Sequence, residues 1–261
     1  MPFQLLDLFT HAGYREALNI VFWGCALQVL IRSLALWLLV AATAVAQSPA
    51  EMALYENLQK PKERAAAVET ILKESDHHSA LLLYVSAGAA LREKRLEDSA
   101  FLFYAARLRS QFDRECFTAV GEGGDSPFVL YGALAQEIGQ QVNPAIMAQP
   151  EVFAKVIDRL KKWEPKAPDT YDPSYEFSER LSEGAALEKT AASRKKYIDG
   201  LADLSTLLQV PEYFAAFQVM QAYNLGPLKD RPTDEKYAEA VDAIKRIEKE
   251  KGIEAIGKSL K

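Results

Sequence analysis

The sequence predicts an all-α helical bundle, and three observations carry that prediction. Helix punctuation recurs along the chain: Ser126-Pro127, Pro150, Pro211, the stop Gly226-Pro227, and Thr233 ahead of an acidic first turn. Between these marks apolar residues return every three or four positions. No segment shows the sustained apolar–polar alternation of a half-buried strand. The chain has 261 residues, 49% hydrophobic, which is enough apolar material for a packed core. Its 31 Lys+Arg against 36 Asp+Glu leave a net charge of −5, a poor match to a nucleic-acid binder.

Residues 1–46 read as a targeting segment. Ser33–Ala46 is an uncharged apolar run that follows Arg32 and ends in Ala44-Val45-Ala46. Charge, apolar core and small residues at the exit are the three parts of a secretory signal peptide. The run falls short of the roughly 20 residues that span a bilayer as a helix. A membrane anchor is the weaker reading, and so is lipidation at Cys25, where bulky Phe22 and Trp23 precede the thiol. Asp7, Glu16 and the apolar patch at 20–23 are foreign to a signal, so Val29 is the expected true start. Cleavage after Ala46 would deliver a 215-residue helical domain, 47–261, to the periplasm. That domain keeps one cysteine, Cys116, expected to be buried.

The helices are expected in order. Pro61 opens one reaching Glu74, with Ala65, Val68, Ile71 and Leu72 inward. Ser79–Glu93 and Leu96–Gln111 are strongly apolar and are joined by the turn Arg92–Arg95. Ser126 caps a helix to about Gln141. Pro150 starts another, lined by Val152, Phe153, Val156, Ile157 and Leu160 and ending at Trp163. Glu164–Pro168 is a break, and 164–173 a candidate sub-boundary. After Pro173 helix resumes in two pieces around Gly184 and runs to Leu208. Pro211–Leu225 follows, and Thr233 caps the last helix, with Tyr237, Val241, Ile244 and Ile247 on one stripe.

Tyr84–Arg107 (YVSAGAALREKRLEDSAFLFYAAR) resembles a tetratricopeptide-type helical hairpin. Tyr84 takes the opening aromatic place, Gly88 and Ala100 the small-residue places, and Tyr104 the second aromatic. Ala87, Leu91 and Arg107 depart from the pattern. The match covers one repeat, and Tyr131-Gly132 could open a degenerate second one of Sel1-like spacing. The resemblance implies antiparallel hairpins that bind protein and perform no chemistry. Gly88 is expected to let the paired helices approach closely.

The chemistry-bearing residues are sparse. His77 and His78 follow Glu74-Ser75-Asp76, but adjacent histidines on a helix point about 100° apart and do not ligate one metal together. Gly121–Ser126 has a phosphate loop's glycines, yet Glu122 and Asp125 would repel an anion and Pro127 lacks an N–H. Cys116 would need one of the histidines beside it to act as a nucleophile. No catalytic residue, cofactor or metal is therefore expected, and the chain reads as a non-enzyme.

Two surfaces remain. The segment Trp163–Phe177 combines Trp163, Tyr171 and Tyr175 with Asp169 and Asp172 on a Pro-stiffened path, and Glu122 and Asp125 make a second acidic loop. Aromatics on a stiff loop anchor an interface at low ordering cost; the simpler expectation is that the same rings pack the loop back onto the helices. The expected function is that of a periplasmic protein-binding protein, most specifically an immunity or inhibitor protein that neutralises a toxic effector enzyme. The alternatives are a tetratricopeptide-like adaptor in an envelope assembly and a hydrolase. Neither nucleic acid nor a lasting membrane anchor is expected as a partner.

Overall fold

The computed structural model describes residues 48–120, 126–167 and 171–256. The expected signal segment 1–46, with the start at Val29, lies outside the described residues, as do Glu122, Asp125 and Asp169. Nine α-helices and one small antiparallel sheet account for most of what is described, and the chain is all-α. The helices are α1 (Pro49–Gln59), α2 (Arg64–Lys73), α3 (Ala80–Arg92), α4 (Leu96–Cys116), α5 (Pro127–Met147), α6 (Pro150–Lys162), α7 (Glu183–Leu208), α8 (Pro211–Leu225) and α9 (Asp234–Lys251). The strands are β1 (Phe117–Ala119) and β2 (Phe177–Arg180).

Much of the punctuation acts where it was expected, although Ser126 stands at the start of α5 without a side-chain cap hydrogen bond and Ser48 caps a helix that was not expected. Ser48, Ser79 and Thr233 accept hydrogen bonds from Glu51, Leu82 and Lys236 N–H, and so cap α1, α3 and α9. Pro127, Pro150 and Pro211 lie in the first turns of α5, α6 and α8. The α3–α4 turn closes without glycine. Lys94 takes a left-handed backbone (φ 60°), so that Arg95 N–H reaches Ala90 O (2.9 Å) and Lys94 N–H reaches Leu91 O (2.9 Å).

Helix α4 is the centre of the bundle. It packs on α3, α5, α6 and α7 and runs directly into β1. One hydrophobic cluster extends from Leu58 to Ile256, taking side chains from both sides of the Pro-rich break. A smaller cluster of Phe112, Cys116, Phe117, Tyr171 and Ala186 lies under the β1–β2 ribbon.

Several expectations need correction. Glu183–Leu208 is a single helix; Gly184 sits in its first turn, and β2 precedes it. Helix α5 passes Gln141 and Pro144 to reach Met147, because Ile146 and Met147 prolong the stripe of Leu134, Ile138 and Val142, all buried. In α2 it is Ala67, not Ala65, that faces inward. Helix α1 was not foreseen.

Gly88 does not mediate close helix approach. A Cβ placed there would meet only Arg92 Nη1, at 3.8 Å. The close approach is at Gly139, where a Cβ would fall 2.9 Å from Cζ of the fully buried Phe103 and 3.3 Å from Asn143 Nδ2. We therefore expect Gly139→Ala to destabilise the fold by about 1–3 kcal/mol through overpacking. Gly88→Ala should instead stabilise it by about 0.5–1 kcal/mol, because α3 loses an entropically costly glycine. Urea denaturation of the two variants separates these outcomes.

Candidate functional site

At one end of the bundle a polar constellation is sealed inside. Glu51, in the first turn of α1, is only 8% exposed. Its Oε1 accepts the Ser79 N–H (2.8 Å), and its Oε2 accepts the hydroxyls of Ser79 (2.8 Å) and Ser174 (2.7 Å). His78 Nδ1 lies 3.5 Å from Oε1. The carboxylate thus sits at the N-terminus of α3, where unpaired N–H groups and the helix dipole favour an anion. Burial opposes the charge, but donors from His78, Ser174 and Ser79 outweigh it and hold the Glu51 pKa below its ordinary value.

Arg109 and Asp113, one turn apart on α4, are both fully buried. The Arg109 guanidinium donates from Nη1 to Lys166 O (3.0 Å) and from Nη2 to Asp76 O. It also lies over the Tyr171 ring, 3.9 Å from the centroid. Asp113 Oδ2 accepts the Tyr171 hydroxyl (3.1 Å), while Oδ1 has no protein partner. Burial pushes the Asp113 pKa up to about 7, against the pull of Arg109 and the Tyr171 hydrogen bond; Glu51 adds to the rise.

These groups tie down a strap formed by residues 163–167 and 171–181. Trp163 Nε1 donates to Ser75 Oγ (3.1 Å), Lys166 N–H to Asp76 O (3.0 Å), and Tyr131 OH to Pro173 O (3.4 Å). Ser174 holds a left-handed backbone (φ 62°), supported by its N–H bond to Asp172 Oδ1 (2.8 Å). The strap then enters β2, whose register pairs Phe117 with Arg180 and Thr118 with Glu179. Phe117 packs edge-on against Tyr171, Tyr175 and Phe177.

The sequence-predicted site residues are therefore divided. Trp163 and Tyr171 are buried and Tyr175 half-buried, so these rings fasten the strap to the bundle; they do not stand out as interface anchors. Asp172 is exposed. Sequence reasoning missed Glu51, Ser174, Arg109 and Asp113. One signal was readable: Leu102, Ala106, Arg109, Asp113 and Cys116 follow one another at steps of four, three, four and three, a core stripe with two charged members.

The constellation is poorly arranged for nucleophilic chemistry. Both serine hydroxyls donate to Glu51, and buried His78 Nε2 has no hydrogen-bond partner in the protein. Burial first, then Asp113 and Glu115, push the Cys116 thiol up to about 12, away from the reactive thiolate. Among the described residues, no group of three or more His, Cys, Asp or Glu is placed to hold a metal ion. No helix among them is long and apolar enough to cross a membrane. Comparison with protein-family models, curated proteins and solved structures finds no match to the chain.

Removing the Glu51 carboxylate would strand donors on α3 and the strap together. Glu51→Ala should cost about 3 kcal/mol in urea denaturation, as does breaking a buried ionic contact. Glu51 has a depressed folded-state pKa, so its contribution is present above the unfolded carboxylate pKa and is lost as pH falls through the folded value. Glu51→Gln should accordingly flatten part of the acid-side loss of stability.

Proposed function

We propose that the chain is an exported, helical protein-binding protein, most specifically an inhibitor or immunity protein that neutralises a toxic effector enzyme in the periplasm. The observation that carries this reading is the outer face of the strap. Asp172, Glu176 and Glu179 are exposed, as is Glu183 at the start of α7, with Arg180 the one base among residues 172–183. Beside Glu176 stands a large apolar side chain open to solvent, Val120 (45%). Val120 N–H bonds Glu176 O (2.9 Å), continuing the β1–β2 ladder. An acidic ribbon stiffened by pairing and backed by aromatic rings is already ordered before it meets a basic cleft, which lowers the cost of association.

The tetratricopeptide-like hairpin contributes less to this reading. Its helices α3 and α4 are enclosed by α1, α2, α5, α6 and α7, so the surface offered to a partner is the ribbon.

The test is capture from native envelope extract, followed by titration with the purified captured protein. Glu176→Lys combined with Glu179→Lys should leave unfolding stability within about 0.5 kcal/mol, as surface changes do. The same pair should weaken the complex at least tenfold. Equal affinity for the charge-reversed protein would remove the ribbon from the account. Turnover of a substrate by the purified chain alone would overturn the reading itself.

A further inference from the structure

The strap's anchors contain a mismatch. Arg109 Nε is a buried donor without a hydrogen-bond partner, and Asp113 Oδ1 is a buried acceptor without one, on side chains one helical turn apart. The two do not bond each other, because Arg109 directs both Nη atoms to the carbonyls of Asp76 and Lys166. A guanidinium held by neutral carbonyls, beside a carboxyl group with a vacant oxygen, has two competing arrangements. The guanidinium supplies the charge in either arrangement, and only an ionised Asp113 adds a full opposite charge on the acceptor, so the proton on Asp113 decides between them.

We propose that Arg109 and Asp113 form a proton-operated latch: with Asp113 protonated Arg109 clamps the strap through the Asp76 and Lys166 carbonyls, and with Asp113 ionised Arg109 is drawn to the carboxylate and the strap loosens. The groups facing Asp113 fit this device. From α4 these are Arg109 and Cys116; from α1, Glu51; from α5, Tyr131; from the strap, Tyr171 and Tyr175. The Cys116 thiol and the three phenols stay neutral near pH 7, because burial raises each of them. Glu51 is already charged and disfavours a second buried negative charge. Arg109 is the cation among them.

The sign follows from the direction of the Asp113 shift. Its folded-state pKa, about 7, stands above the ordinary value of 3.8, so the folded strap binds a proton that the released chain does not. Clamping is complete in acid and is lost as pH rises through about 7.

Hydrogen exchange of the full chain, corrected for intrinsic rates, tests the latch at pH 5.5 and 8.5. Protection of amides in 163–167 and 171–181 should fall at least tenfold between the two, while core amides of α3 hold theirs. Asp113→Asn cannot ionise and should keep the acid level of protection at pH 8.5. Tyr171→Phe removes a donor that favours the carboxylate, so its midpoint should move to higher pH; a merely structural loss would lower protection equally at both. PH-independent protection in the unaltered protein would overturn the latch. So would an undiminished pH response in Asp113→Asn, which would place the titration on another group.

Discussion

A carboxylate taken out of water must be given donors, and that requirement on Glu51 organises one end of the molecule. Its four donor atoms come from His78 and Ser79 at the start of α3 and from Ser174, more than a hundred positions after Glu51 itself. Packing of apolar faces could hold α1 against α3 at many angles. A buried anion surrounded by directed N–H and O–H groups selects one of them. The same contact fixes Ser174, and with it the point at which the strap turns toward β2.

The other fixed point is a polar pair inside the central helix. Arg109 and Asp113 interrupt an apolar stripe of α4 and are retained in spite of the desolvation cost of burying a charge. Arg109 limits that cost by donating to two carbonyls and resting over the Tyr171 ring. Asp113 limits it through a raised pKa, burial favouring the protonated carboxyl group. The two residues thus link the turn before α3, the strap and α4, three segments that apolar contact alone would leave free to slide.

Much of the helical framework was legible because capping and proline chemistry act locally. Thr233, Ser79, Pro150 and Pro211 mark helix starts that the bundle keeps. The strands were not legible, since Phe117–Ala119 and Phe177–Arg180 are too short to show alternation and β2 is largely exposed. Gly88 looked like a packing glycine from its place in a hairpin pattern, whereas contact at a helix crossing depends on which face meets a neighbour; that face belongs to Gly139. Acidic and proline-rich neighbours leave two readings of the rings at 163, 171 and 175, displayed or packed back onto the helices, and the structure has the second for Trp163 and Tyr171. Their burial depends on Asp113, Ser75 and Phe117, partners distant in sequence. Glu51 was hidden for a similar reason: an acid in a helix's first turn is ordinarily solvated.

Function, on this account, belongs to the outside of a strap whose inside is committed to structure. The exposed acids of the ribbon are positioned by rings and hydrogen bonds facing the other way, so the binding proposed for them would be separated from stability on two faces of one segment. The most direct test of this arrangement is a double-mutant cycle across the Glu51–Ser174 contact, with Glu51→Gln, Ser174→Ala and both together followed by urea denaturation. The account predicts a coupling of about 1 kcal/mol or more, as residues sharing one buried network show. Additive losses would mean that α1 and the strap are held independently, and would contradict the account.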